Sequence, residues 1–285
     1  MSLIHMLKMS GLRPKKGLGQ NFLVDEGMAD RIAEAALSHG RSPFVEIGPG
    51  IGSLTRPLLA RVGQLWAVEQ DAALLPLLRT RTEEFGQLEI EQGDALMIDF
   101  REWAVRLGGP LTIVANLPYH ISTPLLFHLL EQGDAIGAMV LMFQKEVAER
   151  IAAPPNNKSY GILSVHSQLW MAVESLFEVP PRAFYPVPKV DSSVISLVRR
   201  AEPLAQVADP PFFRKVVRAA FGQRRKTISN ALKVLEINPN PWLLRADIDP
   251  IRRGETLSVV EFVRLANGFQ GDCGGVEWGG LNGGG

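Results

Sequence analysis

Cysteine is almost missing: Cys273 is the single one in 285 residues. That excludes a disulfide scaffold and any zinc site built from several thiolates, and it fits a reducing compartment. Net charge is missing too, because 30 Lys and Arg offset 30 Asp and Glu. So is a lipid-compatible run. The longest stretch without a formal charge, Leu107 to Leu130, contains Pro110, Asn116, Pro118, His120, Pro124 and His128, a set that a lipid-facing helix does not tolerate. Met1–Ser10 lacks the sustained apolar core of a secretory signal before Arg13-Pro14-Lys15-Lys16. These absences predict a soluble, cytoplasmic chain with no membrane partner and no metal. What is present is globular composition, 46% apolar and 21% charged, which excludes wholesale disorder. The length suits one large domain, or a large one with a small one.

Zero net charge conceals an uneven distribution. Residues 1–41 carry +2, 42–198 carry −6, 199–270 carry +6 and the last 15 carry −2. A basic start and a basic C-terminal third around an acidic middle suit a polyanion held at two ends, although solvated helix faces give the same count.

From Phe44 onward, short apolar runs alternate with amphipathic ones. Strands are predicted at Pro43–Ile47, Gln64–Val68, Leu88–Glu91, Leu111–Ala115 and Ala138–Phe143. Helices are predicted at about Ser53–Val62 and Ala72–Glu84, from Ser122 or Thr123 with Pro124, and around Lys145–Ile151. Such alternation implies a parallel sheet with helices on both faces and a ligand site at the carboxyl ends of its strands. Glu69, Asp94 and Asn116 each stand at such an end. Ser159–Arg200 looks strand-like and proline-punctuated. From Pro210 the pattern turns helical: Phe212–Phe221, Arg224–Leu235, Trp242–Leu244, and a last helix opened by the capping box Ser258 and Glu261. The boundary falls near residues 200–210. Beyond Asp272 the chain holds seven glycines and reads as a loose tail.

Two segments carry chemistry. Val45-Glu46-Ile47-Gly48-Pro49-Gly50-Ile51-Gly52 sits where a strand meets a helix, and its glycines permit a tight turn and close approach of a ligand. Its spacing is not the Gly-x-Gly-x-x-Gly of a pyrophosphate site, and the same turn also occurs without a ligand. Glu69, 21 residues after Gly48, is placed to accept hydrogen bonds from ribose hydroxyls; taken alone it reads equally as a surface acid at a strand end. Asn116-Leu117-Pro118-Tyr119 is more specific. An exocyclic amine on an aromatic base is a poor nucleophile, since its lone pair is delocalised into the ring. The Asn116 side-chain oxygen and the Leu117 carbonyl, next to a proline that has no N–H, would grip both N–H bonds and free that lone pair. Tyr119 would give the base a flat surface, worth about 1–3 kcal/mol. A plain proline turn is the competing explanation of the tetrapeptide.

The Glu-x-Gly-x-Gly-x-Gly turn, Glu69, Gly93-Asp94-Ala95 and Asn-Leu-Pro-Tyr, in this order, resemble class I S-adenosylmethionine-dependent methyltransferases acting on adenine N6. Gly19-Gln-Asn-Phe-Leu23, Phe184-Tyr-Pro-Val-Pro-Lys-Val-Asp-Ser192 and Phe221-Gly-Gln-Arg-Arg-Lys-Thr227 narrow the resemblance. With them the chain is similar, over about residues 12–268, to the ribosomal RNA adenine dimethyltransferase family, in its small-subunit, kasugamycin-sensitivity branch. The resemblance implies an α/β fold: a Rossmann-like class I methyltransferase sheet with a small all-helical C-terminal domain. It implies a basic segment and cofactor-lid helix at 1–41, the methyltransferase domain at 42–200, a helical RNA-positioning domain at 201–270 and a flexible tail at 271–285.

By that resemblance Asn21 and Leu23 close over the cofactor. Gly48 touches it by backbone, Glu69 binds its ribose and Asp94 its adenine amine, while Asn116 stands between cofactor and target amine. Phe184 resembles the aromatic that stacks on the target adenine opposite Tyr119; a core or lid aromatic in a proline-rich loop is the weaker competing explanation. Arg224, Arg225 and Lys226, with Arg214, Lys215 and Arg218, would present a basic helical surface to RNA phosphates, matched by Lys15 and Lys16 at the other end. The implied reaction is direct displacement without a general base, and it adds two methyl groups to each of two adjacent adenosines near the 3′ end of small-subunit RNA. The implied partner is the assembling small subunit, and a sequence with no strong dimerisation signature is expected to be a monomer. His120 departs from the Asn-Leu-Pro-Tyr-Asn common in the family, which bears on the hydrogen bonding of that loop. The alternatives are a methyltransferase of large-subunit RNA, an assembly factor with a vestigial cofactor site, and, more remotely, a nicotinamide oxidoreductase.

Overall fold

The computed structural model describes residues 3–235 and 238–269; the glycine-rich tail expected at 271–285, with Cys273, lies outside the described residues. Two compact units emerge, Met1–Leu204 and Ala205–Gly285.

In the first unit the strands are β1 (Phe22–Leu23), β2 (Phe44–Ile47), β3 (Gln64–Glu69), β4 (Gln87–Gln92), β5 (Leu111–Asn116), β6 (Ile136–Gln144), β7 (Met171–Val179), β8 (Phe184–Tyr185) and β9 (Ser192–Arg199). Its helices are α1 (Leu3–Met9), α2 (Glu26–His39), α3 (Thr55–Val62), α4 (Leu75–Thr82), α5 (Phe100–Leu107), α6 (Ser122–Glu131), α7 (Lys145–Ala152) and α8 (Ile162–Trp170). Seven of the strands make one sheet in the order β4-β3-β2-β5-β6-β9-β7. Alternate residues of its central strands feed opposite cores. Val45, Ile47, Ile113, Ala115 and Leu141 pack with Phe100, Trp103 and Leu125 on one face. Phe44, Val114, Val140 and Met142 pack with Ile32, Ala33 and Leu58 on the other. Burial on both faces is why these strands read as unbroken apolar runs.

The sheet is mixed, not parallel. β2 to β6 are parallel, but β9 runs antiparallel between β6 and β7. No helical crossover joins β7 to β9; a proline-rich loop carrying β8 turns the chain back, so the strands must oppose. The strand-like expectation for Ser159–Arg200 also fails at its start, where α8 forms. Ser164, His166 and Ser167 are buried on that helix beside Val165 and Leu169, so polar residues at core positions hide its apolar period. β1 and β8 pair separately, Phe22 with Tyr185 and Leu23 with Phe184.

The second unit holds α9 (Pro210–Gly222), α10 (Ile228–Leu232), α11 (Pro239–Arg245) and α12 (Val259–Asn267). Asp209 caps α9 through the Phe212 N–H at 2.9 Å. Phe213, Val216, Val217 and Ala220 form its buried stripe. The capping box holds as read: the Ser258 N–H donates to Glu261 Oε2 at 2.7 Å and the Glu261 N–H to Ser258 Oγ at 3.2 Å. The Trp242 indole, 1% exposed, donates to the Leu265 carbonyl at 2.6 Å. The helix expected over Arg224–Leu235 begins only at Ile228, because Thr227 is its N-cap and accepts from the Asn230 N–H. No described helix is long and apolar enough to cross a membrane.

Candidate active site

In the first unit, β2 has β3 on one side and β5 on the other. The chain therefore leaves in opposite directions at its carboxyl end, the place where open α/β sheets bind ligands. A cavity opens there, lined among others by Asn21, Glu46, Gly48, Glu69, Asp94, Asn116 and Tyr119.

The glycine turn leaves β2 with φ of +69° at Gly48 and +58° at Gly50, conformations that side chains other than glycine's rarely adopt. A carbon added to Gly50 would come within 3.2 Å of the Phe22 ring, whereas one on Gly48 would meet no atom within 4 Å. Space is thus kept at Gly48 on the cavity wall. Glu69, at the end of β3, is 6% exposed. Its Oε2 accepts from the Gly50 N–H at 2.9 Å and its Oε1 from the Asp71 N–H at 2.7 Å. Burial raises its pKa, against the pull of those N–H groups. Each oxygen retains a lone pair for a hydroxyl donor. Asp94 accepts from the Leu96 N–H through Oδ1 at 2.9 Å, and among the described residues its other oxygen has no partner.

Glu46 is the most unusual group in the cavity wall. It is 2% exposed, and its Oε2 has no hydrogen-bond partner. Burial pushes its pKa up to about 8, opposed by the Thr55 hydroxyl and reinforced by the Glu69 carboxylate. An unpartnered buried acceptor, a glycine turn with room beside it and a carboxylate at the next strand end suit a ligand carrying an ammonium group and a ribose. S-adenosylmethionine has both.

At the end of β5 the Asn116 amide is oriented by the N-terminal segment: its Nδ2 donates to the Asn21 carbonyl at 3.1 Å. With the nitrogen so engaged, Oδ1 is the end left to accept. Leu117 follows, its side chain 2% exposed in the core, and Pro118 supplies no N–H after it. The Tyr119 hydroxyl meets the fully buried Ser192 Oγ at 2.9 Å, which fixes the ring; burial raises its pKa. His120 rests against Gly19. A carbon added to that glycine, at φ +60°, would fall 2.6 Å from the imidazole Nδ1. The residue that departs from the family pattern therefore packs on the N-terminal segment.

Phe184 is not brought to this cavity. It is 2% exposed and packs with Leu23, Met142 and Val194. Residues of β6 and its neighbour β9 contribute to that core, and the aromatic of the proline-rich loop fills it. Leu23, also 2% exposed, belongs to the same cluster, although it reaches the cavity wall as well. Phe184→Leu is expected to cost about 1 kcal/mol of stability by imperfect repacking and to leave methyl transfer within about threefold. A tenfold loss of turnover with unchanged thermal stability would instead mean that the ring leaves the core to meet a base.

Arg224, Arg225 and Lys226 are exposed in the turn between α9 and α10, not on a helix face, because Thr227 delays the helix start. Arg224 approaches Glu255 at 3.4 Å. Lys15 is no free cation either: its ammonium lies 2.7 Å from Asp71. The anchoring roles of Lys15, Gln20, Asp71 and Ser192 escaped the sequence motifs. The hint available was an acid two residues past Glu69.

Residues 11–270 match the family described as ribosomal RNA adenine dimethylase. Among the relatives is the ribosomal RNA small subunit methyltransferase A of Magnetococcus marinus, 49% identical over 92% of this chain and 94% of its own length. The protein of the same name from Geobacter sulfurreducens is 46% identical, over 91% and 96%. Among solved structures, a dimethyladenosine transferase from Plasmodium falciparum superposes with a TM-score of 0.69 at 26% identity, over 85% of this chain and 94% of that one. The 23S rRNA methyltransferase ErmE gives 0.66 at 28% identity, over 87% and 99%.

Proposed function

Because the chain belongs to the ribosomal RNA adenine dimethylase family, we propose that it dimethylates N6 of two adjacent adenosines near the 3′ end of small-subunit ribosomal RNA. It does so in the cytoplasm, as a monomer, on the assembling small subunit. The observation that carries this is the Asn116 amide, turned by the Asn21 carbonyl at 3.1 Å so that its oxygen is the free end at the cavity.

S-adenosylmethionine, when bound, supplies an electrophilic methyl on a sulfonium. Glu69 would hold its ribose, Asp94 its adenine amine, and the backbone at Gly48 would lie against it, with Asn21 and Leu23 closing the segment above. The chain's work on the target is positional. Asn116 Oδ1 and the Leu117 carbonyl accept the two N–H bonds of the adenine amine and aim its lone pair. Tyr119, held by Ser192, stacks on the base. Unstacking an adenosine from RNA costs a few kcal/mol, which stacking on Tyr119 in part offsets. Arg224, Arg225 and Lys226 supply phosphate contacts that position the RNA without reading its bases.

Labelled S-adenosylmethionine, offered with unmethylated small subunits and separately with large-subunit RNA, tests the assignment. Dimethyladenosine on the small subunit alone is the expected product. Label on the large-subunit RNA would transfer the chain to the other branch, and tight subunit binding without label would leave an assembly factor.

A further inference from the structure

Residues 18–23 of the N-terminal segment line the cavity, and the segment's Lys15–Gln20 end is fastened through one carboxylate. Asp71 lies just after β3 and is 4% exposed. Its Oδ1 accepts from Lys15 Nζ at 2.7 Å and from the Ala73 N–H at 3.1 Å, and its Oδ2 from Gln20 Nε2 at 3.0 Å. Gln20 Oε1 in turn takes the Lys15 main-chain N–H at 2.8 Å, closing a ring of side chain and backbone. The Asp71 N–H donates to Glu69 Oε1, and the other Glu69 oxygen holds the Gly50 N–H. A three-residue stretch therefore grips the covering segment with one carboxylate and the glycine turn with another. The far end of the segment is fixed where the Asn21 carbonyl receives the Asn116 amide.

We propose that Asp71 is a positioning residue for the methyl-transfer reaction: with Lys15 and Gln20 it clasps segment 15–23 shut over the cofactor cavity, so that closure and cofactor binding stabilise one another. This rests on the function proposed above. The clasp is polar and its Lys15 side chain is 53% exposed, so the Lys15–Gln20 end opens while Phe22 and Leu23 stay buried and paired with β8. A ligand that touches both Glu69 and the segment favours the closed form, and by linkage the closed form favours the ligand. Asp71→Asn keeps the size and one acceptor oxygen, but it removes the ammonium's charge partner and sets an amide nitrogen against one of the donors.

The test measures amide hydrogen exchange of residues 15–23 in the full chain, with and without S-adenosylhomocysteine, alongside the calorimetric Kd for that compound. In Asp71→Asn and in Lys15→Met, exchange in the segment is expected to quicken and Kd to weaken, each about tenfold. Turnover at saturating cofactor should stay within about threefold, so that the loss falls on KM. Lys15→Arg restores both readouts. Unchanged exchange and Kd in the two variants, or a fall in thermal stability alone, would reduce Asp71 to a turn cap and overturn the clasp. If the unaltered chain binds no S-adenosylhomocysteine, the proposed function fails instead; the exchange measurement still decides whether Asp71 holds the segment.

Discussion

Asn116→Ala is expected to lower methyl transfer about a thousandfold, the scale on which removal of one preorganised polar group at a reacting centre is felt. The substitution removes the acceptor that grips the amine and leaves the Asn21 carbonyl without its donor. It deletes nothing from the hydrophobic core. Because the segment also loses its anchor at Asn21, affinity for S-adenosylhomocysteine should weaken by up to about tenfold, far less than turnover, which separates loss of orientation from loss of cofactor. Asn116→Asp sharpens the distinction. It retains an acceptor for the amine but sets a carboxylate oxygen where an amide nitrogen now lies 3.1 Å from the Asn21 carbonyl. Most of the activity should disappear with it as well, through a misplaced side chain. Turnover surviving in Asn116→Ala would remove the amide from the mechanism. Equal losses of turnover and cofactor affinity would make it a cofactor ligand only.

The second large effect is in stability against pH. Glu46 titrates at about 8 in the folded chain against 4.5 for an ordinary glutamate, chiefly through burial. A raised carboxyl pKa means that the fold binds the proton more tightly than the unfolded chain does. Its contribution is therefore complete below the ordinary value and is lost as pH climbs through the folded one. At 1.36 kcal/mol per pKa unit the full loss is on the order of 5 kcal/mol. Denaturation of the cofactor-free protein should show stability declining between pH 5 and 9. Glu46→Gln, which cannot ionise, should lose markedly less over that interval and be the more stable protein above pH 8. Glu69 titrates in the same direction, so the difference between the two proteins, not the absolute slope, isolates Glu46. Parallel stability curves across this range would mean that Glu46 stays ionised and finds a partner.

Local patterns carried much of the architecture. Each central strand was legible because burial on both faces writes an apolar run, and α12 because its capping box is a contiguous signal. The pattern misled where a residue's environment came from far along the chain. α8 buries Ser164, His166 and Ser167, so its polarity does not report its position. The direction of β9 depends on how a proline-rich loop turns, and its residue types are the same for either direction. Thr227 moved a helix start by a few positions and with it the setting of Arg224, Arg225 and Lys226.

At the candidate site, the glycine turn, the acids at the strand ends and the Asn-Leu-Pro-Tyr segment were legible in the residues alone, because each is a short motif whose chemistry is local. Tertiary structure alone decided which end of the Asn116 amide is free, that Phe184 fills the core, that Glu46 is buried without a partner and that Lys15 belongs to Asp71. The Asn116 contact spans 95 residues of chain and the Lys15 contact 56. The physical reason is common to all four: hydrogen-bond direction, desolvation and ion pairing depend on distances that exist only after the chain has closed those loops.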